Sequence, residues 1–394
     1  MHLDVILKEN VKNPDENHLR NILQFDTQRV HNRFDNLKKR DLTEEKKSAS
    51  SGKGVKTSVN VESVVGYYLA KLTIGENNYD LVIDTGSALT WIGNKKKFVP
   101  SRSTRVTGTT FNCEFGAGYA EGNIVVETVT IGDKTFRQII GVAKSSQSLP
   151  ETDGMLGLGP TNLTLVITSK KDKAVPTIVD NLFTSQSYSF AFATTNEVKA
   201  LNGRMTLGGV DSTLFKGSLT WIPKTKLFFG SYFYGVEASI YCGKKLIAKN
   251  SGGIMDSGTT LLLLHDDLFK SYMKEIPGAS IETGESESAG LFKIREDMVH
   301  SIPPLYIHFG DFNAILTAEQ QLFPSVGAAK IGGRKGYRYG IINTMKLQSV
   351  DEGAAFIIGM KFLEHYYTAY DGMNQRVGIA TSTATGKAYS NKNA

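Results

Sequence analysis

The chain has 394 residues, 40% of them hydrophobic and 21% charged, a composition that suits a folded globular protein and excludes a disordered one. Its formal charge of +6 splits evenly, with twelve Lys/Arg against nine Asp/Glu in residues 1–60 and thirty-three against thirty after them, so no basic stripe argues for nucleic acid. Apolar runs such as Leu261–Leu264 and Phe356–Met360 are far shorter than the ~20 residues of a membrane span, and Cys113 and Cys242, the only cysteines, exclude a multi-disulfide scaffold and a multi-cysteine metal site.

Residues 1–48 are highly charged and contain no glycine. Leu19, Ile22, Leu23, Val30 and Phe34 fall roughly on one face of a helix, which predicts a main helix over 17–34. Met1–Lys8 lacks the apolar run of a secretory signal. Lys38-Lys39-Arg40 and the Ser/Gly/Lys-rich 48–56 read as a protease-accessible junction, with Lys39 and Arg40 the candidate processing residues. From Val59 the pattern changes. Tyr67–Ile74, Leu81–Ile83, Asn123–Thr130 and Phe136–Val142 read as strands, and Ile131-Gly132-Asp133-Lys134 as a hairpin turn. Helical pieces are few: Pro176–Phe183, Asp266–Glu275 and Met360–Tyr366. A mostly-β chain of this length suggests two β domains.

An internal echo supports two halves. Leu81-Val-Ile-Asp84-Thr85-Gly86-Ser87 matches the pattern of Gly253-Ile-Met-Asp256-Ser257-Gly258-Thr259. Each is followed by an apolar run closed by glycine, Asp153-Gly-Met-Leu-Gly157 and Ala355-Phe-Ile-Ile-Gly359. A strand anchors each Asp loop, the glycine lets the backbone pass close to the carboxylate, and the small hydroxyls supply hydrogen bonds. Two such loops brought together would hold Asp84 and Asp256 side by side, where two carboxylates share a proton. One then serves as general base on a water and the other as general acid towards a carbonyl oxygen, the chemistry of amide hydrolysis without a covalent intermediate. A lone Asp-Thr-Gly is more simply a capped turn; the ordered pair is not.

These motifs, with Val82–Gly93, Thr152–Pro160, Gly208–Pro223, Ile254–Thr260, and Phe356–Gly359 followed by Tyr366–Asp371, resemble the pepsin-like (family A1) aspartic endopeptidases over about Val59 to Ala380, and within them the polyporopepsin-type enzymes of basidiomycete fungi. The resemblance implies a bilobal, mostly-β acid protease fold with a cleft between two similar lobes and a flap hairpin over it. It implies that Asp84 and Asp256 are the catalytic pair, that Thr85 and Ser257 reach across to the opposite loop, and that Ser87 and Thr259 bond the outer carboxylate oxygens, with Gly86 and Gly258 completing the loops. Trp91 matches the tryptophan behind the flap, and Glu114-Phe115-Gly116-Ala117-Gly118 the flap tip. Phe115 stands where the family usually has Tyr. The family's usual disulfide positions are not matched, so Cys113 and Cys242 are expected as two unpaired, largely buried thiols.

The resemblance further implies an inhibitory prosegment over 1–48, with Val5–Leu7 as its strand and a cation near the aspartates among Lys38–Lys47. A linker over 49–58, an N-terminal lobe over 59–212, a C-terminal lobe over 213–382 and a tail over 383–394 would complete the chain. The expected protein is a zymogen of a secreted or vacuolar monomer. Its partners are a polypeptide substrate at acidic pH and its own prosegment as intramolecular inhibitor, with no nucleic acid, membrane span, metal or cofactor. The rival readings are a catalytically silent pepsin-like binding or inhibitor protein, and an unrelated two-domain β carbohydrate-binding protein. Asn162-Leu-Thr164 is a glycosylation sequon.

Overall fold

The computed structural model describes residue 23, residues 26–31, and residues 56–384 apart from 65, 116–117, 148–151, 170–172, 183–184, 196, 198, 228–231, 285–287, 325–331 and 347–353. Two large sheets dominate, one of thirteen strands and one of seven. The first eight strands are β1 (Thr57–Val64), β2 (Tyr67–Ile74), β3 (Asn77–Asp84), β4 (Trp91–Ile92), β5 (Arg105–Phe115), β6 (Gly118–Ile131), β7 (Lys134–Gln147) and β8 (Gly154–Gly157). Thr57 and Ser58, expected in the linker, already belong to β1. Of residues 17–34, those described, 23 and 26–31, are helical.

The strand patterns follow from what each face meets. β2 is buried along most of its length, as a strand packed on both faces must be, whereas β6 alternates between buried and partly exposed positions. β6 and β7 form a long antiparallel hairpin closed by Ile131 opposite Lys134, the turn expected from the sequence. β5 and β6 form a second hairpin, ending at Phe115 opposite Gly118.

The thirteen-stranded sheet runs across both halves. β1 pairs antiparallel with Lys199–Leu207, which continues through Ser187–Ala191, Tyr366–Asp371 and Arg376–Ser382 to Phe215–Pro223. A division at 212/213 therefore cuts through a shared platform. Tyr188 and Tyr370 stack within it at 4.9 Å between centroids, and Tyr234 meets Tyr370 edge-on at the same distance.

The two Asp motifs occupy equivalent places. β3 ends at Asp84 and lies parallel to β8, with Asp84 level with Gly157. Lys245–Met255 leads into Asp256 and lies parallel to Phe356–Ile358, which closes at Gly359. β8 pairs antiparallel with β4, and Phe356–Ile358 pairs antiparallel with Leu262–Leu264. The glycine of each second echo is a packing requirement. A Cβ on Gly157 would come 2.5 Å from the backbone carbon of Ala88, and one on Gly359 would come 2.7 Å from the Thr259 carbonyl oxygen. Each Asp loop is thus laid directly on a neighbouring backbone that has no side chain to hold it away.

Candidate active site

The two Asp loops are tied to each other by a reciprocal set of bonds. The Ser257 N–H donates to Thr85 Oγ1 at 3.0 Å, and the Thr85 N–H donates to Ser257 Oγ at 3.0 Å. The same hydroxyls donate onward, Thr85 to the Met255 carbonyl at 3.0 Å and Ser257 to the Ile83 carbonyl at 2.8 Å. Both residues are fully buried. Serine at the second position therefore does all that the crossing requires.

Each carboxylate is held by its own loop. The Gly86 N–H donates to Asp84 Oδ1 at 2.9 Å, and the Ser87 hydroxyl donates to Asp84 Oδ2. The Gly258 N–H donates to Asp256 Oδ1 at 3.0 Å, and the Thr259 hydroxyl to Asp256 Oδ2 at 2.5 Å. Asp84 and Asp256 show no solvent exposure. A Cβ on Gly258 would strike Asp84 and the guanidinium of Arg29, so the loop carrying one carboxylate passes against the other.

Arg29 fills the space between them. Its Nη2 forms an ion pair with Asp84 Oδ1, and its Nε lies 3.5 Å from Asp256 Oδ2. Burial alone would lower the guanidinium pKa, but the charges of Asp84 and Asp256 outweigh it and raise the value, so Arg29 stays a cation. One helical turn earlier, Asp26 accepts the Leu261 N–H at 2.8 Å and the Thr260 N–H at 3.1 Å. Burial is the largest influence on Asp26 and pushes it up to about 7, against the opposing pull of those two amides and of Arg29.

The cation was expected among Lys38–Lys47, and this is corrected: Arg29 occupies the place between the aspartates, while 38–47 lie outside the described residues. The sequence carried a signal for it. On a helix whose apolar face includes Leu23 and Val30, Asp26 and Arg29 recur at three-residue intervals from Leu23 and so share that face. Charges on a face that packs inward need partners. Val5–Leu7, Lys39 and Arg40 also lie outside the described residues.

Around the site, Trp91 is buried beneath the β5–β6 hairpin with Leu89, Phe111, Ile124 and Met155. Gly116 and Ala117 lie outside the described residues, and Phe115 is described only by its backbone. Asn162 is half-buried in the short helical turn Thr161–Val166. Cys113 and Cys242 are both free thiols; Cys242 is buried and Cys113 half-buried. Among the described residues, no group of three or more His, Cys, Asp or Glu could hold a metal ion, and no helix is long and apolar enough to cross a membrane.

The family model for eukaryotic aspartyl proteases matches residues 67–382. Polyporopepsin of Irpex lacteus is 32% identical over 328 residues, covering 81% of this chain and 95% of that one. Aspergillopepsin-1 of Aspergillus oryzae is 28% identical, covering 79% of this chain and 78% of the other. The crystal structure of the aspartic proteinase from Irpex lacteus superposes with a TM-score of 0.80 at 32% identity, covering 84% of this chain and 99% of that one.

Proposed function

This chain belongs to the eukaryotic aspartyl protease family and is a pepsin-like aspartic endopeptidase, and on that premise we propose that Asp84 and Asp256 are its catalytic dyad, captured in a zymogen whose prosegment is residues 1–48. The observation that carries this reading is the single guanidinium of Arg29 spanning both carboxylates. A cation so placed denies the pair the water and the shared proton that hydrolysis needs.

With the helix gone, one carboxylate takes a proton from the water as it attacks the peptide carbonyl, and the other gives its proton to the carbonyl oxygen. The hydroxyls of Ser87 and Thr259 and the N–H groups of Gly86 and Gly258 keep each carboxylate oriented. The Thr85–Ser257 crossing keeps the two loops in register. Substrate binding is assigned to Phe115, Gly116 and Ala117, with Trp91 in a supporting role. Lys39-Arg40 or the Ser/Gly stretch after it is where the prosegment is removed. The enzyme acts as a monomer on polypeptides in acid, in an extracellular or vacuolar setting.

The test is proteolysis of a protein substrate at acidic pH, with and without pepstatin, for the wild-type chain and for Asp84→Asn and Asp256→Asn. The wild type should cleave and be blocked by pepstatin. Each Asn variant should keep its fold and lose activity by several orders of magnitude. A correctly folded Asn variant that digests protein at the wild-type rate overturns the assignment.

A further inference from the structure

Residues 94–106, which run from the end of β4 into the start of β5, carry Lys95, Lys96, Lys97, Arg102 and Arg105 and no acidic residue. All five cations are exposed. Among them stand two bare aliphatic side chains, Val99 at 52% exposure and Val106 at 73%, with the exposed Pro100 beside the first. We propose that this loop is a docking surface for an anionic lipid bilayer, its cations meeting phosphate headgroups while Val99 and Val106 enter the boundary with the acyl chains. The surface shares no residue with the Asp loops, so the proposal does not rest on the reading of the dyad.

The loop is held from behind. Glu127 on β6 is fully buried and accepts three loop hydroxyls, those of Ser103 and Thr104 and that of Ser101 at 2.9 Å. It also accepts the Thr128 N–H at 2.7 Å. Inside the loop, the Ser101 N–H donates to Thr104 Oγ1 at 2.8 Å and the Ser103 N–H to Ser101 Oγ at 3.0 Å. The short hydroxyl residues are thus turned to the clasp, while Arg102 and Arg105, interleaved with them, stay exposed. Burial alone would raise the pKa of Glu127, but the hydroxyls of Ser103 and Thr104, the Thr128 N–H and the Ser101 hydroxyl hold it at about 2. Arg137, with Nη1 3.8 Å from Glu127 Oε1, and Tyr79 are the other groups that feel this charge. The clasp therefore stays ionised through the acid range.

The cations are not neutralised by their neighbours. Lys96 Nζ donates to the Asn78 carbonyl at 2.9 Å, Lys97 Nζ to the Gly93 carbonyl at 2.9 Å, and Arg105 Nη1 to the Thr104 carbonyl at 2.8 Å, all uncharged partners. Arg137 extends the face: its Nη2 donates to the Val126 carbonyl at 3.1 Å, and Arg105 lies opposite Val126 in the β5–β6 pair. Against these charges stand Glu76, exposed after β2, and Asp153, which accepts the N–H groups of Asp80 and Lys96. The apolar residues decide the partner. Single-stranded nucleic acids are gripped by stacking on aromatic rings, and the ring of this loop, Phe98, is half-buried and packed against the core. Aliphatic side chains set among cations suit the headgroup boundary of a bilayer.

The experiment is co-sedimentation of the full chain, with pepstatin present, with vesicles of phosphatidylcholine alone or with one-third phosphatidylglycerol, at pH 7.5 and pH 4.5. Retention by the phosphatidylglycerol vesicles at both pH values, weakened by salt, and none by phosphatidylcholine is the expected result. Each cation near an anionic surface strengthens binding about fivefold. Replacing Lys96, Lys97, Arg102 and Arg105 by Gln should therefore lower the partition coefficient at least a hundredfold, and Lys96→Gln with Lys97→Gln, away from the clasp, about 25-fold. Val99→Ser with Val106→Ser leaves the charge unchanged and should lower it roughly fivefold. Cleavage of a soluble peptide in acid without pepstatin checks that each variant is folded. No retention by phosphatidylglycerol vesicles, or retention that survives the Lys96→Gln/Lys97→Gln pair, overturns the proposal. A double Ser variant that binds like wild type, with soluble polyphosphate held as tightly as vesicles, replaces the lipid surface with a plain polyanion and overturns it as well.

Discussion

Thr85 and Ser257 each accept the other's backbone N–H, both at 3.0 Å, although they are 172 residues apart. The exchange converts two separate loops into one rigid support, and because both residues are buried, water cannot replace a lost partner. Ser257→Ala removes the acceptor of the Thr85 N–H and the donor to the Ile83 carbonyl. Leaving a buried polar group unpaired costs about 1–3 kcal/mol. The Ala variant should unfold at correspondingly lower urea concentration and lose activity, and Ser257→Thr should restore most of both because it restores the hydroxyl. An Ala variant with unchanged midpoint and unchanged activity would mean that the crossing is incidental to both.

Arg29 makes a second prediction. Removing one member of a buried charge cluster leaves the others uncompensated, at a cost of about 3–5 kcal/mol. Arg29→Gln should therefore destabilise the closed form at neutral pH and abolish the lag before activity when the chain is acidified. Arg29→Lys keeps the charge but not the fork that reaches Asp84 through Nη2 and Asp256 through Nε, so its lag should fall between the two. Stopped-flow cleavage of a quenched fluorescent peptide after a pH jump measures this. An Arg29→Gln chain with the wild-type lag would remove Arg29 from the lock.

The two charges of the helix differ in what acid does to them: Arg29 stays a cation, held up by the charges of Asp84 and Asp256, whereas Asp26 titrates. When docked its pKa is pushed up to about 7 by burial, from an ordinary 3.8, with Thr260 and Leu261 amides, Arg29 and Asp256 as the groups facing it. The docked form therefore holds an extra proton between about pH 4 and pH 7. That contribution is fully present below pH 4 and is lost as pH rises through 7, with a slope of up to about tenfold in the docking constant per pH unit. Asp26→Asn keeps an acceptor and removes the titration. Docking of its cut prosegment should be tighter than wild type at pH 7.5, and that advantage should shrink by up to about tenfold per pH unit between pH 7 and pH 4. Parallel pH profiles for the two proteins would show that Asp26 does not titrate in this range.

The Asp loops and their echo were legible because they are local: strand, carboxylate, hydroxyl and glycine stand within seven residues. So were β2, matched residue for residue at Tyr67–Ile74, and the helix at Asp266–Lys274, where the sequence pattern extended one residue further to Glu275. The reason for Gly157 and Gly359 was not legible, because the backbones they accommodate arrive from 60 to 100 residues earlier in the chain. The platform that joins the halves was missed for the same reason: nothing in Phe215–Pro223 says that it pairs with Arg376–Ser382. Arg29 was missed by a different error. The resemblance implies a cation near the aspartates, and the basic stretch Lys38–Lys47 offered one, whereas burial selects a cation that shares an apolar face with Leu23 and Val30.

The two thiols give the last prediction. Burial pushes Cys113 up to about 12, with the charge of Asp84 adding to it, and pushes Cys242 up to about 12, with Glu275 adding. A free cysteine titrates near 8.5, so at pH 8 an exposed thiol is roughly one-quarter thiolate, whereas these two are about one part in ten thousand. Since the thiolate is the species that attacks, iodoacetamide at pH 8 should label both residues much more slowly in the native chain than in urea. Cys242, behind the strand pairs of Gly235–Cys242 and Leu305–Phe309, should be reached only as the fold opens. Cys113 pairs with Ala120 in the β5–β6 hairpin and its Sγ donates to the Ala120 carbonyl at 3.5 Å. Opening of that hairpin alone would expose it, so Cys113 should label faster than Cys242. Peptide mass spectrometry after timed alkylation reads both rates, and equal rates would show that the hairpin opens no more readily than the C-terminal sheet.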